Sequence, residues 1–331
     1  MFRFYPILLL LSFTLFPQTL EGQETGTFKK LDEHFPVVTT GGMVFWGDVL
    51  YSSGWHIQKN VTTKNFRLLD DNSIQRAFGT FDECKKRLED ILVEEAVPPM
   101  IGTMVIILHG FGSNSLLTRH MGDWLRERKT HDYVFCASYP STRQSILEHA
   151  QMLDRLVKNL PPTVKRIDFI GHSLGSLVAR RYLCGPLDED WRVPEDKMGF
   201  RQKFSPDPRV GRFVMLGPPN NGAVIAAKLI GNDPVRQFLM GKSGDELGTD
   251  WKDAEKTLGI PCCPFMIVAG GRGNSLGYNF LIPGDNDGTV STEGTKLEGS
   301  EKWMLFNVGH NEMLFTHAVF NAVEKFLLKG E

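Results

Sequence analysis

The chain has 331 residues, of which 41% are hydrophobic and 23% are charged, enough apolar material for one large α/β domain or two smaller domains. Its 37 Lys and Arg residues nearly balance 39 Asp and Glu residues, so the formal net charge at pH 7 is -2. This balance creates no long-range field that would attract nucleic acid or an anionic membrane, and the composition predicts neither partner.

The N-terminal 22 residues have the layout of a secretory signal peptide. Arg3 lies near the start, the apolar stretch 7–16 follows, and polar residues come next. The apolar stretch is too short to span a bilayer comfortably. We therefore expect a signal peptide over 1–22 and an exported protein, secreted or periplasmic. Because Leu20 and Gly22 match a cleavage site poorly, an uncleaved membrane anchor is the alternative.

Residues 23–99 are predicted to form an N-terminal region that contains an arm, a β-hairpin and a helix. The stretch 28–42 shows little periodicity and indicates a loop or arm. The segments GWHIQKN and NFRLLDD, separated by VTTK, predict two short strands of a hairpin. Thr80 would cap the helix FDECKKRLEDILVEEA, whose apolar residues recur at helical spacing, and two prolines would end it.

Apolar strands alternate with amphipathic helices over residues 100–331, the predicted catalytic domain. The predicted strands are MVIILHG, DYVFCASYP, VKRIDFIG, RVGRFVMLG, PFMIVAGG and KWMLFNVG. Continuous apolar strands separated by helices are typical of a parallel sheet covered on both faces. Two segments, 186–208 and 221–259, interrupt the alternation and are expected to be insertions that can roof a binding crevice.

The cysteines indicate neither a disulfide scaffold nor a metal site. Five cysteines in a chain of this length are too few and too scattered for a scaffold, and none has the C-x-x-C spacing of metal ligands. We expect buried thiols with room for one or two bridges.

The pentapeptide GHSLG places Ser173 where the strand VKRIDFIG meets the helix SLVARRYL. In a G-x-S-x-G elbow the serine occupies a sharp strand-to-helix turn, and the glycines stand where any side chain would collide with neighbouring backbone. The nearby helix N-terminus favours developing negative charge. The context favours Ser173 as a nucleophile that requires Gly171 and Gly175, and a helix N-cap serine is the alternative.

A nucleophilic serine needs a histidine base and a carboxylate that positions it. His310 follows the last predicted strand in NVGHNEM and is the predicted base, whereas His317 lies on the next helix and is predicted to be structural. The turn IPGDNDGTVS offers two carboxylates, Asp285 and Asp287.

An oxyanion hole is expected where LHGFGSN closes the first apolar strand. The backbone N–H of Phe111 and that of Leu174, directly after the predicted nucleophile, are its candidate donors. His109 is expected to brace this loop and to take no part in proton transfer.

Five motifs carry a family resemblance: LHGFG, GHSLGSLVARRYL, MLGPPNNGA, DNDGTVS and GHNEML, in this order. The chain resembles the α/β-hydrolase superfamily from about residue 104 to its C-terminus, above all the lipase and esterase branches, including those similar to inositol deacylases of lipid anchors. The resemblance implies a mostly parallel twisted sheet of about eight strands with helices on both faces. The GWHIQKN hairpin would supply the first, partly antiparallel strands.

The resemblance also bears on the acid. The Asp-Gly-Thr-Val continuation after Asp287 matches a recurring hydrolase pattern, which selects Asp287 and leaves Asp285 as the runner-up. Ser176 departs from the pattern, because many lipases have a second glycine at that position.

The leading hypothesis is a serine hydrolase that cleaves carboxylic esters, including lipid esters, through an acyl-enzyme. No cofactor or metal is expected. The expected partner is a small-molecule or lipid ester, with membrane contact only through the substrate or an uncleaved N-terminal segment. A thioesterase or acyltransferase with the same triad, and a non-catalytic binding protein of this fold, are the alternatives.

Overall fold

The computed structural model describes residues 37–38, 45–223 and 234–330, which form two β-sheets and their flanking helices. The predicted signal peptide lies outside the described residues. So does the predicted arm over 28–42, apart from a two-residue strand, β1 (Val37–Val38).

An antiparallel sheet contains the N-terminal strands. Its strands β2 (Trp46–Ser52), β3 (Trp55–Asn60), β4 (Phe66–Leu69) and β5 (Ile74–Gly79) join β1 in the order β1-β5-β4-β3-β2. The predicted hairpin is confirmed as β3 and β4, in which His56 lies opposite Leu69. The sequence prediction missed β2 and β5, which extend the hairpin on both sides.

A parallel sheet forms the centre of the molecule. It consists of β6 (Gly102–Leu108), β7 (Tyr133–Ala137), β8 (Val164–His172), β9 (Val210–Leu216), β10 (Phe265–Gly270) and β11 (Lys302–Phe306). All six predicted strands are present, in the order β11-β10-β9-β8-β6-β7, and every pair is parallel.

The two sheets meet at the edge of β7. The Asp48 N–H donates to the Ser138 carbonyl oxygen (2.9 Å), and the Ser138 N–H donates to Asp48 Oδ2 (2.6 Å). These two bonds do not make a continuous ladder. The described architecture is therefore a six-stranded parallel sheet with an adjoining five-stranded antiparallel sheet, where about eight strands in one sheet were expected.

The helices are α1 (Phe81–Glu94), α2 (Ser115–Glu127), α3 (Ile146–Lys158), α4 (Leu174–Cys184), α5 (Lys197–Lys203), α6 (Pro234–Leu247), α7 (Trp251–Glu255) and α8 (His317–Lys329). Thr80 caps α1 as predicted, because its side chain accepts from the Glu83 N–H and Glu83 bonds back to the Thr80 N–H. The insertion 186–208 contains α5, and the insertion 221–259 contains α6 and α7.

Apolar cores cover both faces of the parallel sheet. Alternate residues of β6 enter different cores, since successive strand side chains point to opposite faces. One core joins Ile106 to α3 and α4, and the other joins Ile107 to α2 and α8. All five cysteines are free thiols, so the bridges that the sequence allowed are absent: Cys84, Cys136, Cys184, Cys262 and Cys263.

Within the part of the chain that the structure describes, each helix is too short or too polar to cross a bilayer.

Candidate active site

Ser173 occupies a strained turn between β8 and α4. Its φ of 53° and ψ of -120° lie in a region that residues other than glycine rarely adopt, at a cost of about 1–3 kcal/mol. The Ser173 N–H donates to the Leu216 carbonyl oxygen (2.8 Å), which ties the turn to the end of β9. Ser173 occupies the N-cap position of α4, but its side chain makes no capping hydrogen bond.

The glycines around Ser173 are required by close backbone approach. A Cβ at Gly171 would lie 2.5 Å from the Ser176 Cα, and one at Gly175 would lie 2.5 Å from the Leu108 carbonyl oxygen. Either contact is far inside the van der Waals limit, and each involves backbone that cannot rotate away. The tight crossing of α4 over β6 and β8 thus depends on both glycines.

Asp287 and His310, separated by 23 residues in the chain, meet at the carboxyl edge of the sheet. Asp287 Oδ2 lies 2.6 Å from His310 Nδ1, and the His310 N–H donates to the Asp287 carbonyl oxygen (2.8 Å). Asp287 Oδ1 accepts the N–H groups of Thr289 (2.9 Å) and Val290 (2.7 Å). Because a carboxylate only accepts, the proton of the pair belongs on Nδ1, and Nε2 is left as the acceptor nitrogen.

Gly217, at the end of β9, brings this pair towards the serine turn. A Cβ at Gly217 would lie 3.0 Å from His310 Nδ1 and 3.2 Å from Asp287 Oδ2. The residue before it, Leu216, accepts the Ser173 N–H. The three predicted residues therefore converge around one strand end.

Asp285 has a different environment from Asp287. Its carboxylate oxygens accept the N–H groups of Arg272 (2.8 Å), Gly273 (2.9 Å) and Asn286 (3.0 Å). These bonds order the loop after β10, and none of them reaches His310. Asp285 is thus a loop-building residue in this structure.

His172 was not singled out by the sequence analysis, yet it contacts His310. Its Nε2 lies 3.0 Å from the His310 carbonyl oxygen, and the two ring centroids are 4.8 Å apart. Burial lowers the pKa of His172 to about 3, so the ring is neutral and donates through Nε2. The only feature of the sequence that could have indicated a role for His172 is its position directly before Ser173.

The candidate oxyanion donors lie at the ends of β6 and β8. Leu174 is the first residue of α4, so its N–H has no acceptor within the helix. The Phe111 N–H makes no hydrogen bond to any of the residues in 45–223 or 234–330. Beside it, the Gly112 N–H donates to Ser141 Oγ (3.1 Å), which links the loop to the segment after β7.

His109 braces this loop from beneath. Its ring stacks on Tyr139 with centroids 4.3 Å apart, and the Tyr139 hydroxyl donates to the His109 carbonyl oxygen (2.5 Å). Burial lowers the pKa of His109 to about 4. A neutral, fully packed ring fits the bracing role expected from the sequence.

No cluster of three or more His, Cys, Asp or Glu residues in the described ranges could hold a metal ion.

Comparison with solved structures shows which fold surrounds this site. The chain is similar to the mature form of the Bacillus licheniformis lipase BlEst2, with a TM-score of 0.50 and 15% identity over 68% of this chain and 91% of that chain. The propeptide form of the same lipase gives a TM-score of 0.51 and 16% identity over 68% of this chain and 50% of that chain. No protein-family model and no curated protein matches the sequence. The chain thus has the α/β-hydrolase fold predicted from its sequence.

Proposed function

We propose that this chain is a serine hydrolase that cleaves carboxylic esters through an acyl-enzyme. The observation that carries the proposal is the partly buried Asp287–His310 pair, held at 2.6 Å beside the strained turn of Ser173. A positive φ at a serine costs free energy, and a serine with a purely structural role would not require this conformation. The likeness to a protein described as a lipase agrees with the proposal.

The proposed reaction begins with attack of Ser173 Oγ on the ester carbonyl carbon, while His310 Nε2 takes the hydroxyl proton. Asp287 stabilises the imidazolium that forms. The N–H groups of Phe111 and Leu174 bind the oxyanion. His310 then gives its proton to the departing alkoxide, and a water molecule repeats the sequence on the acyl-enzyme to release the acid and restore Ser173.

Two further histidines would support the base without titrating in its working range. His172 holds the His310 carbonyl oxygen, and His109 holds the oxyanion loop. Since burial lowers the pKa of both rings to about 4 or below, neither competes for the Ser173 proton near neutral pH.

Intact mass after exposure to a fluorophosphonate tests the proposal. One covalent adduct is expected on the wild type and none on Ser173→Ala. Ser176→Ala is the matched control, because Ser176 lies in the first turn of α4 and its hydroxyl donates to the Gly171 carbonyl oxygen (2.6 Å). No adduct on folded wild-type protein would favour a non-catalytic binding protein.

Product analysis then separates the enzymes that share this machinery. The proposal expects turnover of oxygen esters to the free acid. Faster turnover of thioesters, or transfer of the acyl group to an added alcohol in place of water, would favour the thioesterase or acyltransferase alternative.

Export is proposed on the apolar stretch 7–16 behind Arg3. Expression in an exporting host should yield a soluble protein whose mass lacks about the first 22 residues. A full-length mass in the membrane fraction would instead identify an uncleaved anchor.

A further inference from the structure

Large apolar side chains are exposed on the loop that joins β10 to Asp287. Within residues 271–284, Phe280 is 83% exposed, Leu276 67% and Leu281 55%. We call these three residues the apolar tip. Exposed large apolar side chains that cluster on one loop often mark a contact with another molecule.

Hydrogen bonds around Asn286 hold the loop in the conformation that exposes the apolar tip. Buried Asn286 donates to the carbonyl oxygens of Asn279 (3.1 Å) and Gly284 (3.0 Å), and its Oδ1 accepts the Asn279 N–H (2.9 Å). Ile282, 2% exposed, anchors the loop beneath the tip. The exposure of the tip is therefore built into the loop.

Other hydrogen bonds of the loop satisfy backbone N–H groups at the tip itself. The Leu276 N–H donates to Asn274 Oδ1 (3.0 Å), and the Leu281 N–H donates to Asn279 Oδ1 (3.0 Å). Unsatisfied N–H groups make entry into a water-poor phase costly. A loop that carries its own acceptors can enter such a phase at lower cost.

Charge and area indicate what covers the tip. Arg272 is the only charged side chain in 271–284, and its guanidinium lies 4.5 Å from the Tyr278 ring centroid without a carboxylate partner in the described residues. The three tip side chains expose together on the order of 400 Å², if each carries about 200 Å². A stable protein interface needs about 800 Å² on each partner. An apolar tip beside the Arg272 cation suits a surface of anionic headgroups over acyl chains better than a second protein.

The loop is also hydrogen-bonded to the two segments that carry His310 and Asp287. The Tyr278 hydroxyl donates to Asn307 Oδ1 (3.1 Å), three residues before His310, and Asn279 Nδ2 donates to the Gly288 carbonyl oxygen (3.2 Å), next to Asp287. The tip therefore belongs to the carboxyl edge of the sheet, where Ser173 lies.

We propose that the apolar tip docks this protein on a lipid–water surface, with Phe280, Leu276 and Leu281 among the acyl chains and Arg272 at the headgroup phosphates. Docking requires no catalysis. Its use, delivery of a lipid ester to Ser173 from that surface, rests on the proposed function.

Sedimentation with large unilamellar vesicles of phosphatidylcholine and phosphatidylglycerol tests the docking. The mature wild type should bind, and the triple variant Leu276→Ser/Phe280→Ser/Leu281→Ser should bind at least tenfold more weakly. Val93→Ser/Ile101→Ser is the matched control, because these residues are 82% and 60% exposed and lie outside the loop, Ile101 at the opposite edge of the sheet. The control should bind like the wild type. Arg272→Gln should weaken binding to anionic vesicles and leave binding to pure phosphatidylcholine unchanged.

Two results would overturn the docking proposal. One is absence of wild-type binding, or equal binding by the triple variant. The other is a wild-type dimer that the triple variant converts to a monomer, which would assign the tip to a second copy of the chain. Phe280→Ser alone replaces the triple variant if its thermal unfolding shows a folding defect.

Catalysis is scored separately on the same proteins. The triple variant should keep the fluorophosphonate adduct and its turnover of a water-soluble ester, and should lose turnover of an ester embedded in vesicles. Vesicle binding by a wild type that forms no adduct would overturn the proposed function and leave the docking intact.

Discussion

Replacing Asp287 by asparagine perturbs the charge of the candidate acid and little else. The asparagine carbonyl oxygen can still accept the N–H groups of Thr289 and Val290, as Oδ1 does now. The amide NH₂ then faces His310 Nδ1, where the carboxylate oxygen lies at 2.6 Å. A donor there makes Nδ1 an acceptor and moves the proton to Nε2, the atom proposed to receive the Ser173 proton.

The magnitude follows from the lost stabilisation of the imidazolium. Opposite charges about 4 Å apart, at an effective dielectric constant of about 20, attract by about 4 kcal/mol. Since each 1.4 kcal/mol or so corresponds to a factor of ten in rate, Asp287→Asn should lower kcat by about 10³-fold. KM should change little, because the carboxylate is buried away from substrate.

Initial rates on a soluble p-nitrophenyl ester, with kcat and KM resolved, measure the effect. Asp285→Asn is the matched control and should keep kcat within tenfold, since its carboxylate contacts backbone N–H groups of the loop after β10 and not His310. Urea unfolding checks that both variants are folded. Retention of more than a tenth of wild-type kcat by Asp287→Asn, or a larger loss in Asp285→Asn, would refute the reasoning.

Three other perturbations have expected outcomes. Gly175→Ala places a Cβ 2.5 Å from a carbonyl oxygen of β6, so urea unfolding should show a loss of about 1–3 kcal/mol; unchanged stability would contradict the close packing. His172→Phe removes the bond to the His310 carbonyl oxygen but keeps a ring, and should lower kcat about tenfold without changing the pH profile between pH 5 and 8, because His172 is already neutral there. Burial raises the pKa of Glu246 from 4.5 to about 7, so its contribution to stability is present below pH 4.5 and is lost as pH rises through 7. The wild type should therefore lose up to about 3 kcal/mol of unfolding free energy between pH 4.5 and 8, and Glu246→Gln, measured by urea titration at each pH, should lose less.

Local patterns in the chain were enough to predict the parallel sheet and the serine turn. The inner strands β6, β8, β9 and β10 are buried on both faces over much of their length, so their apolar runs are continuous and can be recognised without knowledge of their neighbours. The turn at Ser173 is similarly local, because Gly171 and Gly175 are required within a few residues of it.

The missed strands lacked this local signal. β2 buries Asp48, which lies 2.6 Å from His56 Nδ1 on β3, and the pair is stable only when both strands are in place. β5 has no fully buried residue and carries Arg76, whose guanidinium donates to Asp70 Oδ2 (2.6 Å). A strand whose polar side chains are paired with those of neighbouring residues lacks the hydrophobic pattern by which strands are predicted from sequence.

The sequence by itself determined the fold, the serine turn and a short set of candidates for the other site residues. Only the tertiary structure decided that Asp287 contacts His310 while Asp285 orders a loop, that His172 holds the His310 backbone, and that Phe280 stands exposed beside the site. The physical reason is separation along the chain. Hydrophobic periodicity and glycine spacing act within a few residues, whereas hydrogen bonds between loops 23 or 138 residues apart exist only after the strand ends meet.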